Sequence, residues 1–178
     1  LQGGLERRQV CQVDEAEVQR SKRFATELSV VLFDLDYFKD VNDRYGHAVG
    51  DEVLCSVAQQ LMENVRIIDL AARYGGEEFC VVLPETDAPG AAVWAENFRA
   101  LLAGTRQQHG MKVSGSFGIA SSALISPFNG ESLLAQADMA LYRAKDSGRN
   151  RVVVAPATRR ELRGVRNVQR DVVGVCCD

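Results

Sequence analysis

The sequence predicts an α/β domain built on a split βαβ–βαβ core, and three observations carry that prediction. Segments of strand length alternate with segments of helical period along most of the chain. One pair of strands breaks the alternation, because residues 69–74 and 77–83 are joined directly across Gly75-Gly76 as a hairpin, a turn that two glycines permit through positive φ. The run 28–33, Leu-Ser-Val-Val-Leu-Phe, is nearly continuous in apolar residues, as expected of a central strand buried on both faces.

The elements follow in order. Residues 5–24 are charged and free of proline, with Val10, Val13, Ala16/Glu17 and Arg20 at a weak helical spacing, and predict one polar helix. The strand over 28–33 ends in Asp34-Leu35-Asp36, and a short helix follows through Asn42. Residues 46–51 are expected to form a turn with Asp51 starting the next helix, whose inner face carries Val53/Leu54, Val57/Ala58, Leu61 and Val65. After the hairpin, Pro84 and Pro89 are expected to flank a loop. A helix over 91–103 then counts Val93, Phe98, Leu101 and Leu102 as its apolar members. Residues 113–120 alternate small and apolar residues as a fourth strand. Residues 132–146 form a helix on Leu134, Ala137, Leu141 and Ala144, stopped by Gly148, and 151–154 form the last strand. The tail from residue 157 carries five Arg against three acidic residues, and Leu162, Val165, Val168 and Val172 allow either an amphipathic helix or a disordered end. The domain is therefore drawn over 1–155 with a tail over 156–178.

Composition narrows the class. The chain has 178 residues, 46% hydrophobic and 25% charged, the balance of a globular domain with a substantial core. A net charge of −3 argues against general binding to nucleic acid or to anionic membranes. No apolar run approaches the ~20 residues that span a bilayer, and no secretory signal opens the chain, so a cytoplasmic location is expected. Five cysteines (Cys11, Cys55, Cys80, Cys176, Cys177) are scattered without metal-ligand spacing, and Cys55 and Cys80 are expected as reduced core residues. The first residue, Leu1, is not methionine, which suggests excision from a longer protein carrying an upstream sensor or regulatory domain.

Two adjacent carboxylates, Glu77 and Glu78, stand where a plain hairpin would carry β-branched or aromatic residues. Like charges held together suit a bound cation or a shared proton, although a solvated acidic hairpin tip has the same appearance. In a split βαβ core the first strand and the hairpin can be neighbours, so that Asp34 faces Glu77 and Glu78. Three converging carboxylates suit Mg²⁺, and with a nucleoside triphosphate they suit phosphoryl transfer to a hydroxyl. Asp34 and Asp36 can instead simply cap the following loop. Lys39, Lys145 and Arg149 are candidate phosphate contacts, against a plain reading as solvated charges.

Five motifs in order over residues 28–154 resemble the GGDEF domain family, the diguanylate cyclases. They are Gly75-Gly76-Glu77-Glu78-Phe79, a GGEEF variant of the signature; Asp34-Leu35-Asp36-Tyr37-Phe38-Lys39 with Asn42-Asp43; Tyr45-Gly46-His47 with Gly50-Asp51; Ala137-Asp138 with Ala140-Leu141-Tyr142; and Ala144-Lys145 with Gly148-Arg149-Asn150. The resemblance implies a nucleotidyl-cyclase or polymerase-palm type of core, with a mostly antiparallel central sheet flanked by helices and the active site at the hairpin turn. It implies condensation of two GTP into cyclic di-GMP and two pyrophosphates across an antiparallel homodimer. Asp34, the Leu35 backbone carbonyl, Glu77 and Glu78 fall on metal positions for Mg²⁺ or Mn²⁺, two per half-site. Glu77, Glu78 and Lys39 fall on catalytic positions. Phe38, Asn42, His47, Asp51, Leu54, Gly75, Gly76, Lys145 and Arg149 fall on GTP-contacting positions, with Asn42 and Asp51 reading guanine.

The resemblance also implies product inhibition. Arg66 and Asp69 match an inhibitory R-x-x-D, with Arg20 as an additional contact to cyclic di-GMP. The second additional arginine is replaced by Asn97, which counts against a cross-linked inhibited dimer. The bland alternative for R-x-x-D is a surface ion pair. At the N-terminus Leu1, Gly3, Arg7 and Arg8 fit the family opening while Gln2, Gly4 and Glu6 depart from it, and Leu1 would join Leu54 at the guanine. Two rivals stand beside the active cyclase: a catalytically weak cyclic di-GMP receptor or dimerisation module, and a cyclase for another nucleotide.

Overall fold

The computed structural model describes residues 13, 15–106 and 110–158. The N-terminal helix α1 (Glu15–Phe24) leads to β1 (Leu28–Leu35), followed by α2 (Phe38–Tyr45) and α3 (His47–Glu63). The hairpin is β2 (Leu70–Arg73) and β3 (Glu78–Pro84), and after it come α4 (Ala88–Gly104), β4 (Gly115–Ser121), α5 (Gly130–Asp146) and β5 (Val152–Val154). The five strands lie in the order β2-β3-β1-β4-β5. Pairing is antiparallel throughout except between β4 and β5. The sheet is thus mostly antiparallel with β1 at its centre, as the sequence predicts, and all eight β1 residues are buried.

Side-chain alternation divides the core. Val31, Phe33 and Leu35 point to a layer shared with α2, α3 and α4, where Phe33 stacks on Phe79 (5.0 Å) and Phe117 (4.9 Å) and meets Phe98 edge-on. Leu28, Val30 and Leu32 point the other way, to a layer shared with α1 and α5. Asp34 continues this second set, so its carboxylate emerges on the α5 side of the sheet. Period two along one strand decides which helix meets the acidic residue.

Several local expectations need correction. The helix α3 begins at His47, because Gly46 (φ 84°) leads directly into it, and Asp51 therefore lies in its second turn rather than at its start. Pro89 sits in the first turn of α4, where its missing N–H costs nothing, and the Asp87 side chain accepts from the Gly90 N–H (2.7 Å) as the cap. On α4 the buried face is Ala88, Ala91, Ala95, Phe98 and Leu102, whereas Val93 and Leu101 are exposed. Small residues let this helix lie close to the sheet. Cys80 is buried but Cys55 is exposed. The remaining cysteines, the segment 1–12 and the tail beyond residue 158 lie outside the described residues.

The C-terminus of α5 is closed by paired bonds, from the Gly148 N–H to the Lys145 carbonyl (3.4 Å) and from the Arg149 N–H to the Ala144 carbonyl (3.0 Å), with Gly148 at φ 113°. The same helix rests on β4 at Gly118. A Cβ there would lie 2.1 Å from the Ala137 carbonyl oxygen and 2.2 Å from the Leu141 nitrogen, both rigid backbone. Gly118→Ala is expected to lower stability by at least the ~1–3 kcal/mol of an overpacked core, measured by denaturant unfolding. Gly104→Ala, where nothing lies within 4 Å of the added carbon, is expected to cause no loss.

Candidate functional site

The acidic centre follows from strand pairing. In the β1–β3 register Asp34 stands opposite Glu78, and the Leu35 N–H donates to the Glu77 carbonyl (3.3 Å). Like charges directly opposite in an antiparallel pair repel. Burial pushes the Asp34 carboxyl above the usual carboxylate range; the Lys145 ammonium offsets part of that, while the charges of Glu77 and Glu78 add to it. Lys145 Nζ sits 2.9 Å from Asp34 Oδ2, and the Asp34 side chain is only 11% exposed. The helix α5 thus delivers the cation to the strand end.

The turn itself differs from the expected glycine hairpin. Neither Gly75 nor Gly76 is among the positive-φ residues, and the connection between β2 and β3 runs over residues 74–77. The Tyr74 and Gly75 N–H groups both donate to the Glu78 carbonyl (2.8 and 3.1 Å). The Arg73 guanidinium donates to the carbonyls of Gly75 and Gly76, which staples the loop from within. Gly75 leaves room for the Glu78 carboxylate: a Cβ there would lie 2.6 Å from Glu78 Oε2, so that side chain would have to shift. Around Gly76 nothing lies within 4 Å, so its surroundings are open.

The other predicted residues distribute unevenly. Lys39, His47 and Asp51 are exposed on α2 and α3, and Asn42 is half-buried between those helices. Asn42 depends on Gly50, where a Cβ would fall 2.0 Å from its side-chain oxygen. Phe38 and Leu54 belong to the main apolar core, so burial among other side chains is their first role. Arg149 lies with its guanidinium 4.7 Å from the centre of the Tyr37 ring. Leu1 lies outside the described residues.

The structure pairs Arg66 with Asp69 directly. The Arg66 side chain donates to both Asp69 oxygens (2.8–3.1 Å), to the Pro84 carbonyl (3.2 Å) and to Thr86 Oγ1 (2.7 Å), and the Arg66 backbone N–H donates to Asp69 Oδ2 (2.7 Å). Asp69 is 1% exposed at its side chain and Arg66 53%, so only the arginine faces outward. It borders an open cleft of about 690 Å³ whose walls include Glu85, Trp94 and Asn97. Arg20 does not reach this pair. Its guanidinium lies 3.4 Å from Glu85 at the cleft wall.

Residues that sequence reasoning undervalued lie one step from the acidic centre. Asp36, whose alternative reading was a loop cap, is buried and accepts from Ser114 Oγ and Ser116 Oγ (2.7 Å each) and from the Asn150 N–H (3.0 Å). Its partners are about 80 and 114 positions away. Nothing local in the chain announces them.

A divalent cation fits this donor set in a limited way. Among the described residues no group of three or more His, Cys, Asp and Glu side chains could hold a metal by themselves. Asp34 is nonetheless a desolvated carboxylate crowded by two others, with a cation already drawn to it, and Mg²⁺ commonly takes one or two carboxylates and completes its shell with phosphates and water.

Fold and site together define an α/β domain with an acidic centre at the end of its central strands. The match to known families then places it: residues 5–151 match the model of the diguanylate cyclase GGDEF domain, and the chain belongs to that family. It is 43% identical over 141 residues to the response regulator PleD of Caulobacter vibrioides, covering 76% of this chain and 31% of that protein. The chain thus spans about a third of the length of that relative. Among solved structures, the active GGEEF domain of a diguanylate cyclase from Vibrio cholerae superposes with a TM-score of 0.79 at 32% identity, over 87% of this chain and all of that one. The GGDEF domain of DgcB from Caulobacter crescentus in complex with c-di-GMP gives 0.73 at 31% identity, over 79% of this chain and 85% of that one.

Asp34 ionised is a cost to the folded state: with its pKa raised, the cost is present at neutral pH and is relieved as pH falls through the raised value. Asp34→Asn removes that cost. In metal-free protein it is expected to leave the melting temperature unchanged or raise it by up to about 2–4 °C, the equivalent of ~1 kcal/mol in a domain of this size, measured by scanning calorimetry. A clear fall would show that the Lys145 pair outweighs the burial.

Proposed function

We propose that this chain is a diguanylate cyclase domain of the GGEEF variant, condensing two GTP into cyclic di-GMP with release of two pyrophosphates. The observation that carries the reading is the convergence of Asp34 with Glu78 across paired strands, with Lys145 drawn to Asp34. Family membership and the likeness to the Vibrio cholerae domain support it. Asp34, the Leu35 carbonyl, Glu77 and Glu78 would hold Mg²⁺ or Mn²⁺ with the triphosphate. Such an ion neutralises phosphate charge and lowers the pKa of an attacking hydroxyl.

The chain's own residues then have distinct tasks. Glu77 accepts the proton of the 3′-hydroxyl, and Glu78 keeps the local field negative around the ion. Lys145 and Arg149 bind phosphate oxygens, and Lys39 offsets charge developing there. Asn42 and Asp51 read guanine: a carboxylate accepts from N1–H and the 2-amino group, which adenine does not offer in that arrangement. Because one domain supplies one GTP, the reaction needs a second copy facing the first. An upstream domain would raise the effective concentration of that pairing. Arg66, which borders the cleft, would contact guanine O6 or N7 of the product through its Nη1 group, because its Nε and Nη2 groups are bonded to Asp69, Pro84 and Thr86. Asn97, which also lines the cleft, supplies no second guanidinium.

The test is incubation with Mg²⁺ and either GTP or ATP at concentrations that favour pairing, followed by chromatography. Cyclic di-GMP from GTP alone is expected; no product from GTP, with binding of added cyclic di-GMP retained, would favour a receptor instead. Glu77→Gln is expected to reduce turnover by about 10²–10⁴, as loss of a general base does. Arg66→Ala keeps the backbone bond to Asp69 and is expected to raise the inhibition constant for cyclic di-GMP at least about fivefold. An unchanged constant would remove Arg66 from product binding.

A further inference from the structure

Tyr37 breaks two local rules at once. It has φ 57° and ψ 28°, the left-handed region that favours Gly and Asn, and it caps α2 without a side-chain hydrogen bond where Ser, Thr, Asp or Asn is preferred. Its ring is 61% exposed, so the core does not require it. Conflict between residue and backbone at an exposed position points to a use for the side chain. The contact it makes is with Arg149, whose guanidinium lies over the ring at 4.7 Å.

Arg149 sits in an equally constrained segment. Gly148, Arg149 and Asn150 have φ of 113°, 60° and 44°, three left-handed residues in succession. Two bonds pin this turn to distant elements. The Asn150 N–H donates to Asp36 Oδ2 (3.0 Å), and Asn150 Oδ1 accepts from Arg99 on α4 (2.7 Å). Asp36 is itself held by Ser114 and Ser116. The backbone of the turn is thus fixed to the end of β1 while the long Arg149 side chain would otherwise be free to rotate. Tyr37, next to Asp36, supplies the surface against which it rests.

We propose that Tyr37 is a positioning residue: its ring holds the Arg149 guanidinium in place for the triphosphate, with Asp36 holding the backbone beneath it. The inference rests on the proposed assignment of Arg149 to phosphate binding. Holding one rotamer in advance removes an ordering cost from binding, so the effect falls on affinity rather than on the chemical step.

The probe is 3′-deoxy-GTP with Mg²⁺, which lacks the attacking hydroxyl, bound at equilibrium and followed by calorimetry. Tyr37→Asn suits the backbone better, so its melting temperature is expected to hold or rise while affinity falls about 2- to 5-fold, the factor an exposed cation–π contact is worth. Tyr37→Phe keeps the ring and is expected to bind as the unmutated chain does. In an Arg149→Ala background Tyr37→Asn is expected to have no further effect, because it acts through that arginine. Unchanged affinity in Tyr37→Asn, or an equal loss with Arg149 already removed, would overturn the inference while leaving the cyclase reading intact. If the unmutated chain neither binds the probe nor converts GTP, the cyclase reading falls and the positioning role falls with it.

Discussion

Asp34 is the constraint on which the rest of the site depends. Strand alternation sends its carboxylate to the α5 side of a central, fully buried strand, opposite Glu78. A charge placed there is desolvated and repelled by its neighbours, and the protein answers with Lys145 at 2.9 Å. That answer requires α5 to lie close against the sheet, which Gly118 allows by presenting no side chain to the helix backbone. A packing requirement in the core and an electrostatic requirement at the end of β1 are therefore met by the same helix.

A similar economy governs the loops. The turn between β2 and β3 does not rely on left-handed glycines. Arg73 and the Glu78 carbonyl hold it, and Gly75 leaves room for the Glu78 carboxylate. Left-handed residues appear instead at Tyr37 and across 148–150, on either side of Asp36. Regular elements deliver Asp34, Glu78 and Lys145, and the left-handed connections deliver Tyr37 and Arg149. In the Arg66–Asp69 pair the aspartate is buried and structural, while the arginine it orients remains half exposed at a cleft.

Much of this was legible in the chain itself. The buried character of β1, the central hairpin, the alternation of strand-length and helical-period segments and the acidic residues at Asp34, Glu77 and Glu78 follow from local periodicity and residue type. Those signals are short-range, and so they survive in one dimension. Helix caps decide the boundaries that periodicity does not: α3 starts at His47, four residues before Asp51, and Pro89 lies in the first turn of α4 rather than in a loop. Alanine on the inner face of α4 looked less apolar than Val93 or Leu101, yet small size, not hydrophobicity, is what lets a helix approach a sheet.

Which residues meet is set by packing between elements distant in the chain. Asp34 and Lys145 are far apart in the chain, and so are Asp36 and the Asn150 amide or Tyr37 and Arg149; each pair forms because the end of β1, the start of β4 and the end of α5 meet at one end of the sheet. Local periodicity and residue type specify the elements and the chemical types at their ends. Strand order, register and the close seat of α5 on Gly118 determined their contacts, because pairing between distant strands is set by the packing of the whole core and leaves no local period in the chain.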